Sequence, residues 1–182
     1  MKLLLYCTKA KPMLRKLDNY FLDKHNDNYY WGKGQTVPYN LNSKIVAECD
    51  YEVEKIYYSP LFCNYTTWSL GKDDLLNKSC LTYDELKNYL GTKDVVGNDG
   101  YNGYAIHIKN LHIFDEPKEL NISKAPQNMM KYLDENDNLY ILISIQPQWL
   151  CKILNKEKTI EIRKKVLKEM IKWNKWFIKK IE

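Results

Sequence analysis

The stretch that most limits the fold lies near the C-terminal end, at residues 140–164: YILISIQPQWLCKILNKEKTIEIRK. It reads as strand, turn, short helix, turn, strand. Residues 140–145 are a β-branched apolar run. Pro147 cannot continue a central strand but suits the first turn of a helix. Trp149, Leu150, Ile153 and Leu154 follow at helical spacing. Residues 159–163 then alternate, with Ile160 and Ile162 on one face and Thr159, Glu161 and Arg163 on the other. With Lys158 at the strand start, this is the densest polar constellation in the chain.

The rest of the chain has no βαβ rhythm. Several strands, short helices and many turns predict an α+β fold, a small mixed β-barrel with short flanking helices and a C-terminal amphipathic helix. A length of 182 residues with 45% hydrophobic composition supports one packed domain. In chain order, residues 2–8 (KLLLYCT) form an opening strand that stops in Lys9, Lys11 and Pro12. Residues 13–23 are expected to be a short helix, and 25–42 a long loop with Tyr29, Tyr30 and Trp31 at its tip. Residues 44–58 form a long strand whose alternation slips midway, as at a bulge. Residues 59–78 read as irregular and aromatic. Thr82 and Glu85 make a capping box opening a helix that Gly91 closes. A second loop covers 92–102. Residues 104–114 are the clearest alternating strand, with Ala105, His107 and Lys109 on one face and a break at Asn110. Residues 115–124 read as a turn segment, 134–138 (DENDN) as a linker, and 165–182 as a basic helix.

The net charge of +5 is mildly basic and permits a nucleic-acid partner without requiring one. From Lys164 onward, seven lysines face only Glu169 and Glu182. Fifteen tyrosines can stack on bases or fill a β-rich core. Five scattered cysteines with no CxxC give no zinc site, and no cofactor is expected. An odd cysteine count without a secretory leader fits a reducing cytoplasm, and no apolar run approaches membrane-spanning length. The phosphate-loop, dinucleotide, zinc-protease and serine-hydrolase motifs are all absent.

The phrase Ile143-Ser144-Ile145-Gln146-Pro147, followed by Lys152-Ile153-Leu154-Asn155-Lys156-Glu157-Lys158-Thr159-Ile160-Glu161-Ile162-Arg163, resembles the ASCH domain family. The Lys-x-x-Glu-x-Arg core is intact, while Lys156 stands where the family has glycine. The segments at residues 6–12, 44–48, 81–90, 104–119 and 125–127 resemble later parts of phage-type members. In the usual order the Lys-x-x-Glu-x-Arg segment comes first; here it comes last, which implies a circular permutation or an equivalent re-cut of a tandem repeat. On that reading, residues 1–133 are the later part of the barrel, 134–138 the linker, 139–164 the motif-bearing part and 165–182 the basic helix. Residues 140–145 should then pair with strands from the N-terminal part and close one barrel.

The resemblance implies a PUA-like barrel with a cleft for RNA or a modified nucleoside. A metal-independent ribonuclease needs a base, an acid and a cation for the phosphate. Lys158, Glu161, Arg163 and Thr159 are the candidate catalytic set. Tyr6, Thr8, Lys9, Lys11, His107, Gln127 and Trp149 are candidate RNA contacts. The residues alone also allow an intrastrand Glu161–Arg163 ion pair and a His107 satisfied within the sheet. Three other functions follow from the resemblance: an amidohydrolase of N-acylated cytidine, a non-catalytic RNA-binding module, and a phage anti-CRISPR protein acting on a guide RNA in a host ribonucleoprotein. The amidohydrolase subgroup carries threonine where this chain has Glu161.

Overall fold

The computed structural model describes residues 1–8, 19–23, 28–32, 43–59, 61–91, 101–120 and 128–171, with backbone alone for 19–23, 28–32, 101 and 102. Nine strands and three helices lie complete within them: β1 (Lys2–Cys7), β2 (Asn19–Asp23), β3 (Asn28–Gly32), β4 (Lys44–Ser59), β5 (Asn64–Thr66), α1 (Lys72–Ser79), α2 (Tyr83–Leu90), β6 (Tyr101–Glu119), β7 (Met129–Leu133), β8 (Leu139–Ile145), α3 (Pro147–Leu154) and β9 (Ile160–Arg163). The fold is mixed α+β. Hydrogen bonding orders the main sheet β7-β8-β1-β4-β6-β9, with β5 beside β4; β2 and β3 form a separate pair. The chain divides into two compact units, residues 1–50 with 109–157, and 51–108 with 158–182. Strands β4 and β6 contribute to both.

The first unit is built on β1. It pairs parallel with β8, Leu3 opposite Ile141 and Leu5 opposite Ile143, and antiparallel with β4, Leu3 opposite Cys49. Residues 140–145 therefore do pair with a strand of the N-terminal part. β1 is buried on both faces, which is why it reads as a continuous apolar run. Leu4, Tyr6, Ile45 and Leu142 cluster with Phe114, Met130, Tyr132 and Tyr140 on one face. Leu3, Leu5, Cys7, Ala47, Ile141, Ile143 and Ile145 are buried from the other, and α3 lies against β1 and β3. Each buried Leu or Ile contributes about 1.5–3 kcal/mol. Tyr6 pairs with Ile45 only because the register shifts after Leu5.

The second unit centres on Ile56, Tyr65, Leu75, Leu86, Leu90, Ala105, Ile160 and Ile162. Tyr65 takes its hydroxyl into this apolar cluster and donates it to the Gly91 carbonyl at 2.6 Å. The capping box forms as expected: Glu85 N–H donates to Thr82 Oγ1 at 3.2 Å and Thr82 N–H to Glu85 Oε2 at 2.8 Å. Gly91 ends α2 at φ 82, a conformation that favours glycine. Asn110 breaks the phase of β6 at φ 48, and its side-chain amide donates to Asp50 Oδ2 at 2.8 Å, within the first unit.

Several expectations are corrected. Residues 19–23 are a strand, not the end of a helix, and 28–32 are its partner, not a loop tip; the antiparallel register pairs residue 20 with 31 and 21 with 30. The rest of the expected helix (13–18) and loop lies outside the described residues. The stretch 59–78 holds β5 and most of α1, which Leu75 and Ser79 anchor by burial. Residues 115–119 extend β6. Tyr101 and Asn102 open the same strand, while 92–100 lie outside the described residues. Residues 134–138 are a hairpin turn between paired strands β7 and β8: Asp134 Oδ1 accepts the N–H groups of Asn136 and Asn138. Residues 165–167 are not helical. A helix starts at 168, and residues beyond 171 lie outside the described set.

Lys156, in the turn from α3 to β9, sits at φ 64. The left-handed region costs a residue with a Cβ about 1–2 kcal/mol. Lys156→Gly should leave stability unchanged or raise it by up to ~1 kcal/mol, because the gain is partly offset by glycine's unfolded-state entropy. β-Branched Lys156→Val should lower it by ~1–2 kcal/mol. Urea melts measure both; an equal loss in the two variants contradicts the strained turn.

Candidate functional site

The start of β9 runs beside the end of α1. Thr159 N–H donates to the Lys78 carbonyl at 2.9 Å, and Ile108 N–H to the Thr159 carbonyl at 2.9 Å. This brings Lys158 to the C-terminus of α1, where the last carbonyls of a helix lack intrahelical partners. Lys158 Nζ donates to the Ser79 carbonyl at 2.6 Å. An ammonium there also complements the negative end of the helix dipole. Its second partner is Glu161, whose Oε2 lies 3.4 Å from Nζ. The other carboxylate oxygen, Oε1, lies 3.0 Å from Arg163 Nε. The three residues thus form one line of charge, Lys158–Glu161–Arg163, ending on a helix carbonyl.

Burial grades along this line. The Lys158 side chain is 2% exposed and Glu161 9%, while Arg163 reaches 14%. Desolvation pushes the Lys158 ammonium below the ordinary lysine value, against the Glu161 charge, which raises it. A lysine held this way releases its proton more readily than a solvated one. Next to Arg163 in the chain, Lys164 Nζ stands 5.4 Å from the centre of the half-exposed Tyr89 ring. Strand β6 approaches closely here because Gly103 has no side chain. A Cβ on it would meet Leu90 Cδ2 at 2.6 Å and the Arg163 carbonyl oxygen at 2.9 Å.

Of the expected catalytic set, the fold brings Lys158, Glu161 and Arg163 together. Thr159 is exposed and is held through its backbone. His107 lies elsewhere. The register sets His107 opposite Ile160 and Ile106 opposite Glu161, so His107 and Glu161 leave the β6–β9 ladder on opposite faces. Tyr6 is buried in the core of the first unit. Thr8 Oγ1 donates to the Ile145 carbonyl at 3.1 Å. Trp149 on α3 lies 5.6 Å, ring centre to Nζ, from Lys152. Tyr6, Thr8 and Trp149 belong to the first unit, and the charge line to the second. Lys9, Lys11 and Gln127 lie outside the described residues.

A second polar cluster, not apparent from the sequence, gathers on Glu54. Its Oε2 accepts from Ser69 Oγ at 2.8 Å and from His107 Nε2 at 3.0 Å. Thr67 adds a further hydrogen bond. Burial pushes the Glu54 carboxyl up, but the bonds from Ser69, Thr67 and His107 outweigh it and hold the group below its ordinary value. The carboxylate is the hub and His107 its donor, so the order of a Ser–His–acid relay is not met. Glu54, Ser69 and His107 lie too far apart in sequence for any spacing rule to join them.

Among the described residues, no group of three potential metal ligands occurs and no helix is long and apolar enough to cross a membrane. Comparison with protein-family models, with curated proteins and with solved structures finds no match.

Glu54 makes an acid-side prediction. Its folded pKa lies below the unfolded value of 4.5. Its contribution to stability is therefore complete above that value and lost as pH falls through the folded pKa. The melting-temperature gap between wild type and Glu54→Gln should be open at about pH 5 and close as pH falls below about pH 4. A gap independent of pH contradicts the assignment.

Proposed function

We propose that this chain is an RNA-directed protein of the ASCH type on a PUA-like barrel, with Lys158, Glu161 and Arg163 as a metal-independent site for RNA cleavage. One observation carries the reading: a carboxylate held between two cations, one of them a buried lysine with a lowered pKa. Those are the groups that cleavage by the 2′-hydroxyl needs. Glu161 takes the proton of the 2′-hydroxyl, and the 2′-oxygen attacks phosphorus. The P–O5′ bond breaks, and the leaving oxygen takes a proton from the Lys158 ammonium. Arg163 neutralises the phosphate through the transition state. The products carry a 2′,3′-cyclic phosphate and a free 5′-hydroxyl. Tyr89 and Lys164, a half-exposed ring beside an ammonium that follows Arg163 in the chain, suit a base and its phosphate.

The burial of Lys158 and Glu161 favours a second reading. Here the pair is an interior strut that caps α1 and fixes Arg163, and the protein binds RNA without cutting it. The two separate in one assay. Labelled structured RNA is incubated in EDTA with wild type, Glu161→Gln, Lys158→Met and Arg163→Ala, each first shown to be folded by a cooperative melt. Catalysis predicts cyclic-phosphate ends with wild type and a loss of about a hundredfold or more in Glu161→Gln. Binding alone predicts no cleavage, with salt-sensitive retention weakened in Arg163→Ala. Cleavage that survives all three changes, or no interaction with RNA either alone or beside a guide-loaded ribonucleoprotein, sinks both.

A further inference from the structure

The first unit contains a pocket of about 330 Å³ with no part in the charge line on β9. Its size is that of a small-molecule site. Leu4, Ile45, Phe114, Tyr132 and Tyr140 supply an apolar and aromatic lining. Around it stand four carboxylates, Glu48, Glu119, Asp134 and Glu135. Lys2 offsets Glu48 at 3.1 Å and Lys44 offsets Glu119 at 3.0 Å. Asp134 and Glu135 are adjacent on the β7–β8 turn. Asp134 is fixed there by two backbone N–H groups and the Asn138 amide. Those bonds to Asn138 hold its carboxyl below the ordinary value, which keeps it charged near neutral pH.

An independent observation shows what this lining accepts. The Lys118 ammonium, itself part of the pocket wall, stands 3.9 Å from the centre of the Phe114 ring. His112 braces that ring edge-on at 5.6 Å. The pocket's aromatic face is thus already occupied by an alkylammonium on a tether. Aromatic faces attract such cations, more strongly as water is removed. An apolar floor with separated carboxylates matches a methylene chain carrying ammonium groups along its length, not a compact hydrated metal ion, which demands oxygen ligands at fixed geometry.

We propose that this pocket binds a linear aliphatic di- or polyamine. One ammonium takes the place of Lys118 over Phe114, the methylenes lie along Tyr132 and Tyr140, and a second ammonium meets Asp134 and Glu135. Lys118 is then a built-in competitor that swings to solvent when the amine enters.

The competitor gives the test its sign. Spermidine and 1,4-diaminobutane are titrated calorimetrically into the full chain at low salt, with magnesium chloride as a control. Wild type should show saturable one-site binding. Lys118→Ala should bind spermidine several-fold tighter, about tenfold if the displaced contact is fully desolvated. Phe114→Leu, which keeps the apolar volume, should weaken binding by about tenfold, and Glu135→Gln should weaken it less. Arg163→Ala should bind as wild type does, which separates this site from RNA binding. Absence of saturable binding overturns the proposal. So does equal affinity in wild type, Lys118→Ala and Phe114→Leu, or competition by magnesium at equal concentration, since either outcome marks diffuse charge attraction.

Discussion

The second unit depends on one buried contact, the Lys158 ammonium between the Ser79 carbonyl and the Glu161 carboxylate. A charge this deep is costly unless paired and hydrogen-bonded. The arrangement answers that cost twice. The end of α1 has carbonyls without helical partners, and β9 carries a carboxylate that must also be neutralised. Lys158 serves both, and Arg163 takes the remaining carboxylate oxygen. Removing the lysine would leave a helix carbonyl and half a carboxylate buried without it. Such a network holds α1 to β9, whatever further chemistry it performs.

This contact and the proposed site are therefore the same atoms viewed for two purposes. As a strut, the line needs only its charges to balance. As a site, it needs one end more open than the other, and the rise in exposure from Lys158 to Arg163 supplies that end. The aromatic pocket of the first unit follows different physics. There the charges stay near solvent and the selectivity comes from an aromatic face that a lysine of the same chain already fills.

Local signals in the sequence were reliable where the chemistry was local. The Thr82–Glu85 box, Gly91, Pro147 at the first turn of α3 and the phase break at Asn110 each rest on residues within a few positions of one another. That β8 pairs with a strand of the N-terminal part was expected, but which strand and in which direction came only from the ladder, parallel to β1. What failed was non-local. The β2–β3 pair was missed although Tyr20-Phe21-Leu22 and Tyr29-Tyr30-Trp31 are strand-forming residues, because Leu17, Phe21 and Leu22 also fit helical spacing and the residues flanking β3 are polar and turn-forming. Helix α1, KDDLLNKS, is weakly amphipathic and is held by the burial of Leu75 and Ser79. The DENDN run reads as a linker by composition but folds as a tight turn, because Asp134 can accept from two residues ahead of it.

The candidate site was half legible. Alternation along residues 159–163 set Thr159, Glu161 and Arg163 on one face with Lys158 at the strand start, but could not show that Lys158 reaches a carbonyl 79 residues away. Nor could it assign His107 to a face opposite Glu161, which only the β6–β9 register decides. The most direct test of the account is a ¹³C-detected NMR titration of the Lys158 side chain, with and without a short RNA oligonucleotide. Lys158 should titrate with a midpoint below the ordinary lysine value of 10.5, and the Lys158 and Arg163 side-chain signals should shift when RNA is added. An ordinary midpoint, with both signals indifferent to RNA, would contradict it.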